Sequence, residues 1–267
     1  MKPLEHFTGS ISVVVSSCDR FFDAWRPFAF FFRKYWPDCP FPVYLVVNEL
    51  RVQSTWLRVI RVGPDEGWAT TMQRALADID TPYILYLQED YFLTAPVRAE
   101  QLASDIAHAI EQNAASFCFY NLSLLEPEFG NQPERFAVVP DDSLGRTRLQ
   151  ATLWKRDAFA ALLRPGETAW NMEARGSERT RGMLILSYAR SDDLPIPYLM
   201  SAIVRGLWTP EAIALCQSHN LRLRPAFRSR DPGTKRGRRW RRAVDRIRFR
   251  IALALQGDRP VDVDSPS

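Results

Sequence analysis

The chain has 267 residues, 46% of them hydrophobic and 25% charged, with 16 Phe and 8 Trp to furnish a core. That is globular composition, sized for one large domain or for one domain and an appendage. No run approaches the roughly 20 apolar residues of a membrane-spanning helix, and the formal charge of +4 hides an uneven distribution.

After Met1-Lys2 the sequence "PLEHFTGS" is too polar for a secretion signal, so a cytoplasmic location is expected. Cys18, Cys39, Cys118 and Cys216 form no C-x-x-C pair, and His6, His108 and His219 are equally scattered. The cysteines therefore read as small apolar residues in a reducing compartment rather than as a zinc site.

The first strand is predicted at "ISVVVSSCD" (11–19), a β-branched run that turns polar at its end. "FDAWRPFAFFFRKYW" follows as a helix apolar almost all round, hence buried, with Asp23 as its cap and Pro27 near its first turn. "PVYLVVNEL" (42–50) is a second strand ending at Asn48-Glu49, and "WLRVIRVG" is a shorter third. In "DEGWATTMQRALADID", Trp68, Met72, Ala75, Leu76 and Ile79 fall at helical spacing, with Asp65 as the candidate cap. "TPYILYLQED" is the fourth strand, "RAEQLASDIAHAIEQN" an amphipathic helix and "AASFCFYNLSLL" the fifth strand. Alternation of this kind implies a mostly parallel sheet with helices on both faces.

Residues 126–146 read as a long loop with a short hairpin, "LQATLWKRDAFAALL" as strand then helix, and "RPGETAWNMEARGSERTRG" as a second polar loop. "MLILSYA" and "PYLMSAIVRGLW" complete the sheet region. "TPEAIALCQSHN" is a last helix, with Thr209 as cap and Pro210 at its first position. The expected division is an α/β catalytic domain over 1–221, a basic amphipathic tail over 222–257 and a disordered end over 258–267.

"LYLQEDYFL" (85–93) places Gln88, Glu89 and Asp90 where a buried strand ends, within reach of solvent. In a parallel sheet, ligands bind outside the carboxyl ends of the strands. Successive strand residues point to opposite sides, so one acid can face a ligand while the other makes a structural bond. A carboxylate there suits Mg²⁺ or Mn²⁺, which take oxygen ligands and keep waters or phosphates in their shell. The same acids could instead end in solvent or meet arginines. Upstream, Gly67 opens a helix whose free N–H groups, together with Arg74, favour phosphate.

In this order, "SSCDR", "VNE" and "EGWATTMQRALADIDTPYILYLQED" resemble the nucleotide-sugar-binding half of GT-A glycosyltransferases, over residues 11–93. In that family a glycine-led helix precedes a strand ending in D-x-D, and Gln88 stands where the first Asp would be. The resemblance implies a GT-A-like, Rossmann-like sheet, with Asp90 first and Glu89 second as ligands of Mn²⁺ or Mg²⁺. It also implies donor contacts from Gly67, Gln88 and Glu89, with Asp19 and Glu49 at base and ribose and Arg74 near the sugar or phosphates.

In "ETAWNMEARGSERT", an indole face suits the C–H face of a sugar ring and a nearby carboxylate suits hydroxyls. This stretch is similar to the acceptor side, "W-x-x-E…G-S", of bacterial surface-polysaccharide transferases that carry a "QEDY" strand end. That likeness implies Trp170 as an acceptor platform and Glu173 as the base if the reaction inverts; a retaining reaction would not need that base, and the sequence does not choose between the two. Trp170 could instead be core. Glu173 could instead pair with Arg175, Arg179 or Arg181, and those arginines could grip a diphosphate.

From Arg222 to Arg250 thirteen Lys/Arg face two acids, Asp231 and Asp245. Over 230–257, Trp240, Val244, Ile247, Ile251 and Leu255 fall at helical spacing, with arginines on the remaining face. Such a basic amphipathic helix can lie on an anionic membrane, dock on the catalytic domain, or follow nucleic-acid phosphates.

The reading that joins these parts is a divalent-metal-dependent glycosyltransferase, peripheral at the inner membrane face. It would move a sugar from a nucleotide-sugar donor to a glycan or lipid-linked acceptor in surface polysaccharide synthesis. One alternative is a nucleotidyltransferase on a related fold, which would want a glycine-rich loop that "SSCDRFF" lacks. The other is a nucleic-acid-binding protein using the tail, which leaves the "QED" strand end unexplained.

Overall fold

The β-branched run at Ile11–Ser16 forms β1, buried at every position. It alternates between two cores: Ile11, Val13 and Val15 face one, Val14 the other. The computed structural model describes residues 3–121, 135–189, 194–223 and 226–265. Helix α1 (Phe22–Tyr35) leads to β2 (Val43–Val47), a short β3 (Val52–Gln53) and β4 (Arg58–Arg61). Helix α2 (Trp68–Ala77) crosses to β5 (Tyr83–Gln88) on the other side of β1. Then follow α3 (Ala99–Glu111), β6 (Ser116–Asn121), β7 (Phe136–Val138), β8 (Thr152–Lys155), α4 (Arg156–Leu162), α5 (Ala169–Arg175) and β9 (Ile185–Tyr188).

The described strands form an eight-stranded sheet in the order β4-β2-β1-β5-β8-β6-β9-β7. The pairs β4–β2, β2–β1, β1–β5 and β6–β9 are parallel, whereas β8 runs antiparallel between β5 and β6, and β7 antiparallel to β9. The first half is thus the expected parallel unit and the second half is mixed. Helices α1 and α3 cover one face, and α2 and α4 the other. Residues 126–134 of the predicted long loop lie outside the described residues; Phe136–Val138 within it form β7.

Several local expectations change. Asp23 does not cap α1: it sits inside the first turn, fully buried, and both its oxygens accept from Arg228. Asp65 does not cap α2 directly; Gly67 does, with φ at +96°, and its N–H donates to Asp65 Oδ1 at 3.0 Å. Thr209 caps α6 (Pro210–Ser218) as expected, accepting from Ala212 N, with Pro210 in the first turn. The segment "PYLMSAIVRGLW" does not extend the sheet. It makes a separate hairpin of β10 (Ile203–Val204) and β11 (Leu207–Trp208).

The boundary expected at 221/222 is not a boundary in packing. Helix α7 (Lys235–Gln256), capped by Thr234, docks through Asp245, whose carboxylate accepts from Ser229 N and Oγ at 2.7 and 2.6 Å. Phe249 packs its ring against Phe22 and Phe227. The end expected to be disordered from 258 contains β12 (Val261–Asp262), which pairs in parallel with β3. Asp264 fixes it by accepting from Ser54 Oγ and Thr55 Oγ1 at 2.9 and 2.8 Å; residues 266 and 267 lie outside the described residues.

Candidate functional site

From β1 the chain goes first to β2 on one side and later, through α2, to β5 on the other. Such a reversal leaves a crevice beyond the carboxyl ends of the two central strands. β1 ends there at Ser16, followed by Ser17, Cys18 and Asp19, and β5 ends there at Gln88, followed by Glu89 and Asp90.

The β1 end is tightly fixed. Ser17 Oγ accepts from the Trp25 indole N–H at 2.7 Å, and Ser16 Oγ from the Trp68 indole at 3.1 Å. The Asp19 carboxylate accepts three backbone N–H groups, from Asn48, Glu49 and Leu50, each at 2.9 Å. Asn48 Oδ1 returns a bond by accepting from Asp19 N at 3.1 Å. Asp19 therefore ties the ends of β1 and β2 together, and Glu49 stands exposed beside it on the rim. Asn48 was not singled out from sequence, yet its Nδ2 is buried without a partner among the described residues, an orphan donor at the crevice. The polar ending "VNE" was its only signal.

The two acids of the β5 end are less accessible than the sequence suggested: Glu89 is 7% exposed and Asp90 5%. Asp90 Oδ2 accepts from Ser201 Oγ at 2.7 Å and Ile203 N at 3.1 Å, which holds the β10 hairpin against the strand end. Asp90 Oδ1 is buried and has no partner among the described residues. Burial raises the Asp90 carboxyl above its usual range, against the pull of those two donors. Burial raises Glu89 further, and the neighbouring charge of Asp90 adds to it; Arg228 opposes both shifts.

This donor set fits a hard divalent cation. A buried carboxylate oxygen without a hydrogen bond is costly, and a cation would satisfy it while relieving the repulsion between two adjacent acids. Among the described residues no group of three or more His, Cys, Asp or Glu could hold a metal. A cation held here would thus keep open positions for water or ligand phosphates, as Mg²⁺ and Mn²⁺ commonly do.

Gln88 does not point at these acids. Its Nε2 donates to Leu149 O at 3.2 Å and to Tyr86 Oη at 3.4 Å, and Tyr91 Oη donates to the same Leu149 carbonyl at 2.6 Å. The Leu149 N–H donates to Glu173 Oε1 at 2.9 Å. One backbone residue thus joins the end of β5 to Glu173, a link that sequence spacing could not show.

Glu173 and Trp170 were expected in a loop; they lie on α5, which Thr168 caps by accepting from Asn171 N. Their spacing of three puts them on one helix face. Trp170 is not core: it is 78% exposed, an open indole platform. Burial raises the Glu173 carboxyl above its usual range, while the Leu149 N–H and the Arg148 charge pull it down. Arg179 pairs with Glu167 at 2.9 Å rather than with Glu173, and Arg175 and Arg181 are exposed.

Arg74 is committed to the loop ahead of Gly67. It donates to Val62 O at 3.3 Å and pairs with Glu66 at 2.7 Å, bracing the loop ahead of Gly67. Arg228, counted from sequence among the cations of the basic tail, acts on both acids through its charge. It is held by both oxygens of Asp23, by Gly206 O at 3.1 Å and by Arg20 O at 2.9 Å.

No protein-family profile and no curated protein matches the chain. Similar solved structures were found, at low identity. One is glucosyl-3-phosphoglycerate synthase from Mycobacterium tuberculosis, in complex with Mn²⁺, UDP-glucose and glycerol 3-phosphate: 15% identity and TM-score 0.35, over 58% of this chain and 60% of that one. Another is Staphylococcus aureus TarS, residues 1–349: 14% identity and TM-score 0.41, over 71% of this chain and 59% of that one. A third is the bifunctional IspDF from Campylobacter jejuni: 10% identity and TM-score 0.41, over 72% of this chain and 52% of that one.

Proposed function

We propose that the protein is a divalent-metal-dependent glycosyltransferase of GT-A-like fold, moving a sugar from a nucleotide-sugar donor to a glycan or lipid-linked acceptor in surface polysaccharide synthesis. The observation that carries this reading is the buried Oδ1 of Asp90, partnerless among the described residues, beside Glu89 at the point where the strand order reverses. Asp90 and Glu89 would hold Mn²⁺ or Mg²⁺, which would neutralise charge on the departing nucleoside diphosphate. Asp19 and Glu49 would lie toward the base and ribose of the donor, and Gly67, whose N–H is held by Asp65, would lie toward its phosphates.

Glu173 is the base in an inverting course. The acceptor O–H gives its proton to Oε2 while the oxygen bonds to the anomeric carbon. The bond from that carbon to the diphosphate breaks, and its electron pair leaves with the nucleoside diphosphate. A carboxylate raised by burial is a stronger base than a solvated one. Leu149 N–H fixes the orientation of Glu173, and Trp170 offers its face to the acceptor ring.

Association with an anionic membrane surface accompanies this reading. The face of α7 turned away from the core carries Trp240, Ile247, Ile251 and Leu255, all more than half exposed. Arginines flank that stripe, and each near an anionic leaflet contributes ~1 kcal/mol. No helix among the described residues is long and apolar enough to cross a membrane.

The test is a thermal screen of UDP-, GDP-, dTDP- and CMP-sugars with and without Mn²⁺. A ligand at 100 times its Kd stabilises by about 2.7 kcal/mol. A shift with one donor class that requires Mn²⁺ supports the reading; no shift with any of them rejects it.

A further inference from the structure

On the inner side of α7 lies a cleft of about 850 Å³, between that helix, the turn after β1 and the β10–β11 hairpin. It is within the size range of small-ligand sites. Arg20, Arg205, Arg239, Arg242, Arg246 and Arg250 line it, all exposed, around a floor that includes Phe227 and Phe249. Arg228 lies in that floor with its guanidinium fixed on Asp23. Asp245, the only acid lining the cleft among the described residues, has both oxygens committed to Ser229. Among the described residues none of the six arginines named first forms an ion pair. So many cations around one hollow, none of them ion-paired among the described residues, repel each other and focus a positive potential inside it.

The backbone adds an independent sign. The hairpin turn is Arg205-Gly206, with φ at +54° and +78°. Two positive values define the tight turn in which Asn-Gly or Gly-Gly is favoured. An arginine there is strained, and strain retained at the lip of a cleft points to a use for the side chain.

We propose that this cleft binds a phosphate or diphosphate group, without a metal and independently of sugar transfer at Glu89 and Asp90. Guanidinium forks match phosphate oxygens in pairs, which lysines would not do as well. The group could belong to a lipid headgroup, reached because the outer face of the same helix carries the apolar stripe, or to a soluble phosphate.

The experiment titrates the full chain with inorganic pyrophosphate in EDTA, followed by calorimetry. Saturable binding is expected in the wild type. Arg205→Gly, which relieves the turn, should keep or raise the melting temperature and weaken binding roughly tenfold; Arg242→Ser with Arg246→Ser should weaken it at least as much. Arg236→Ser, on the same helix outside the cleft, should leave it unchanged. Absence of saturable binding, or equal weakening by Arg236→Ser, overturns the proposal. Phosphatidic-acid vesicles then separate the sources. If pyrophosphate releases the protein from them where ionically matched sulfate does not, the cleft takes a lipid headgroup. If the cleft fills while vesicle binding persists, it takes a soluble phosphate.

Discussion

Replacing Glu89 by glutamine should make the metal-free protein more stable, not less. The carboxyl is buried beside another carboxyl, and both causes raise it well above its ordinary range. The folded state therefore keeps the proton at pH values where the unfolded chain has lost it. Wild-type stability from this group is fully present below the ordinary carboxylate range and is lost as pH rises through the raised folded value. An uncharged amide at the same position would suffer no such loss. Leaving a buried charged group poorly compensated costs about 1–3 kcal/mol or more, so the variant should gain about that much at pH 8 in EDTA. For a chain of this size each kcal/mol moves Tm by roughly 2–4 °C. Melting curves at pH 8 and pH 5, both in EDTA, give the assay: the advantage of Glu89→Gln should shrink at the lower pH, and Mn²⁺ with a nucleoside diphosphate should stabilise only the wild type. A variant that is less stable than wild type by the same margin at both pH values would refute the idea that two frustrated acids await a cation.

Glu173→Gln should lower turnover by about 10²-fold or more while Tm holds, read by donor consumption. Because burial raises Glu173, the acid limb of the wild-type pH–rate profile should lie above the ordinary carboxylate value of about 4.3, activity falling as pH drops through it. Arg228→Met should destabilise by about 3–5 kcal/mol in denaturant unfolding, since it strands Asp23 as a lone buried charge. Ile247→Glu with Ile251→Glu, both on exposed positions of α7, should leave stability within about 0.5 kcal/mol of wild type and abolish sedimentation with anionic vesicles.

The first half of the fold was legible because β1, β2 and β5 are apolar runs that each turn polar at one end, which marks their common edge in the sequence itself. Gly67 was singled out at the start of α2, but the cap was read as Asp65; glycine is only modestly enriched at helix starts, and the φ of +96° that requires it is not visible in sequence. Helix α5 was not: its seven residues bury only Met172, so no apolar face marked it. Asp23 looked like a cap because its partner, Arg228, stands 205 positions away. On α7 the apolar positions read as a stripe were found, but they face outward; docking instead uses Asp245 and Phe249, a polar and an aromatic contact that periodicity does not weigh. The pairing of β12 with β3 rests on a two-residue match and the Asp264 bonds, too little pattern to stand out in "VDVDSPS".

The central claim is that Asp90 offers its free oxygen to a divalent cation shared with a diphosphate. Calorimetric titration of UDP, GDP and dTDP, with Mn²⁺, into wild type and Asp90→Asn tests it most directly. The amide can still accept from Ser201 and Ile203, so the fold should survive while the cation ligand is lost. The account predicts that one nucleotide binds the wild type in Mn²⁺ and is weakened at least roughly tenfold both by EDTA and by the substitution. Equal affinity in all three conditions, or no binding of any nucleotide to the wild type, would contradict it.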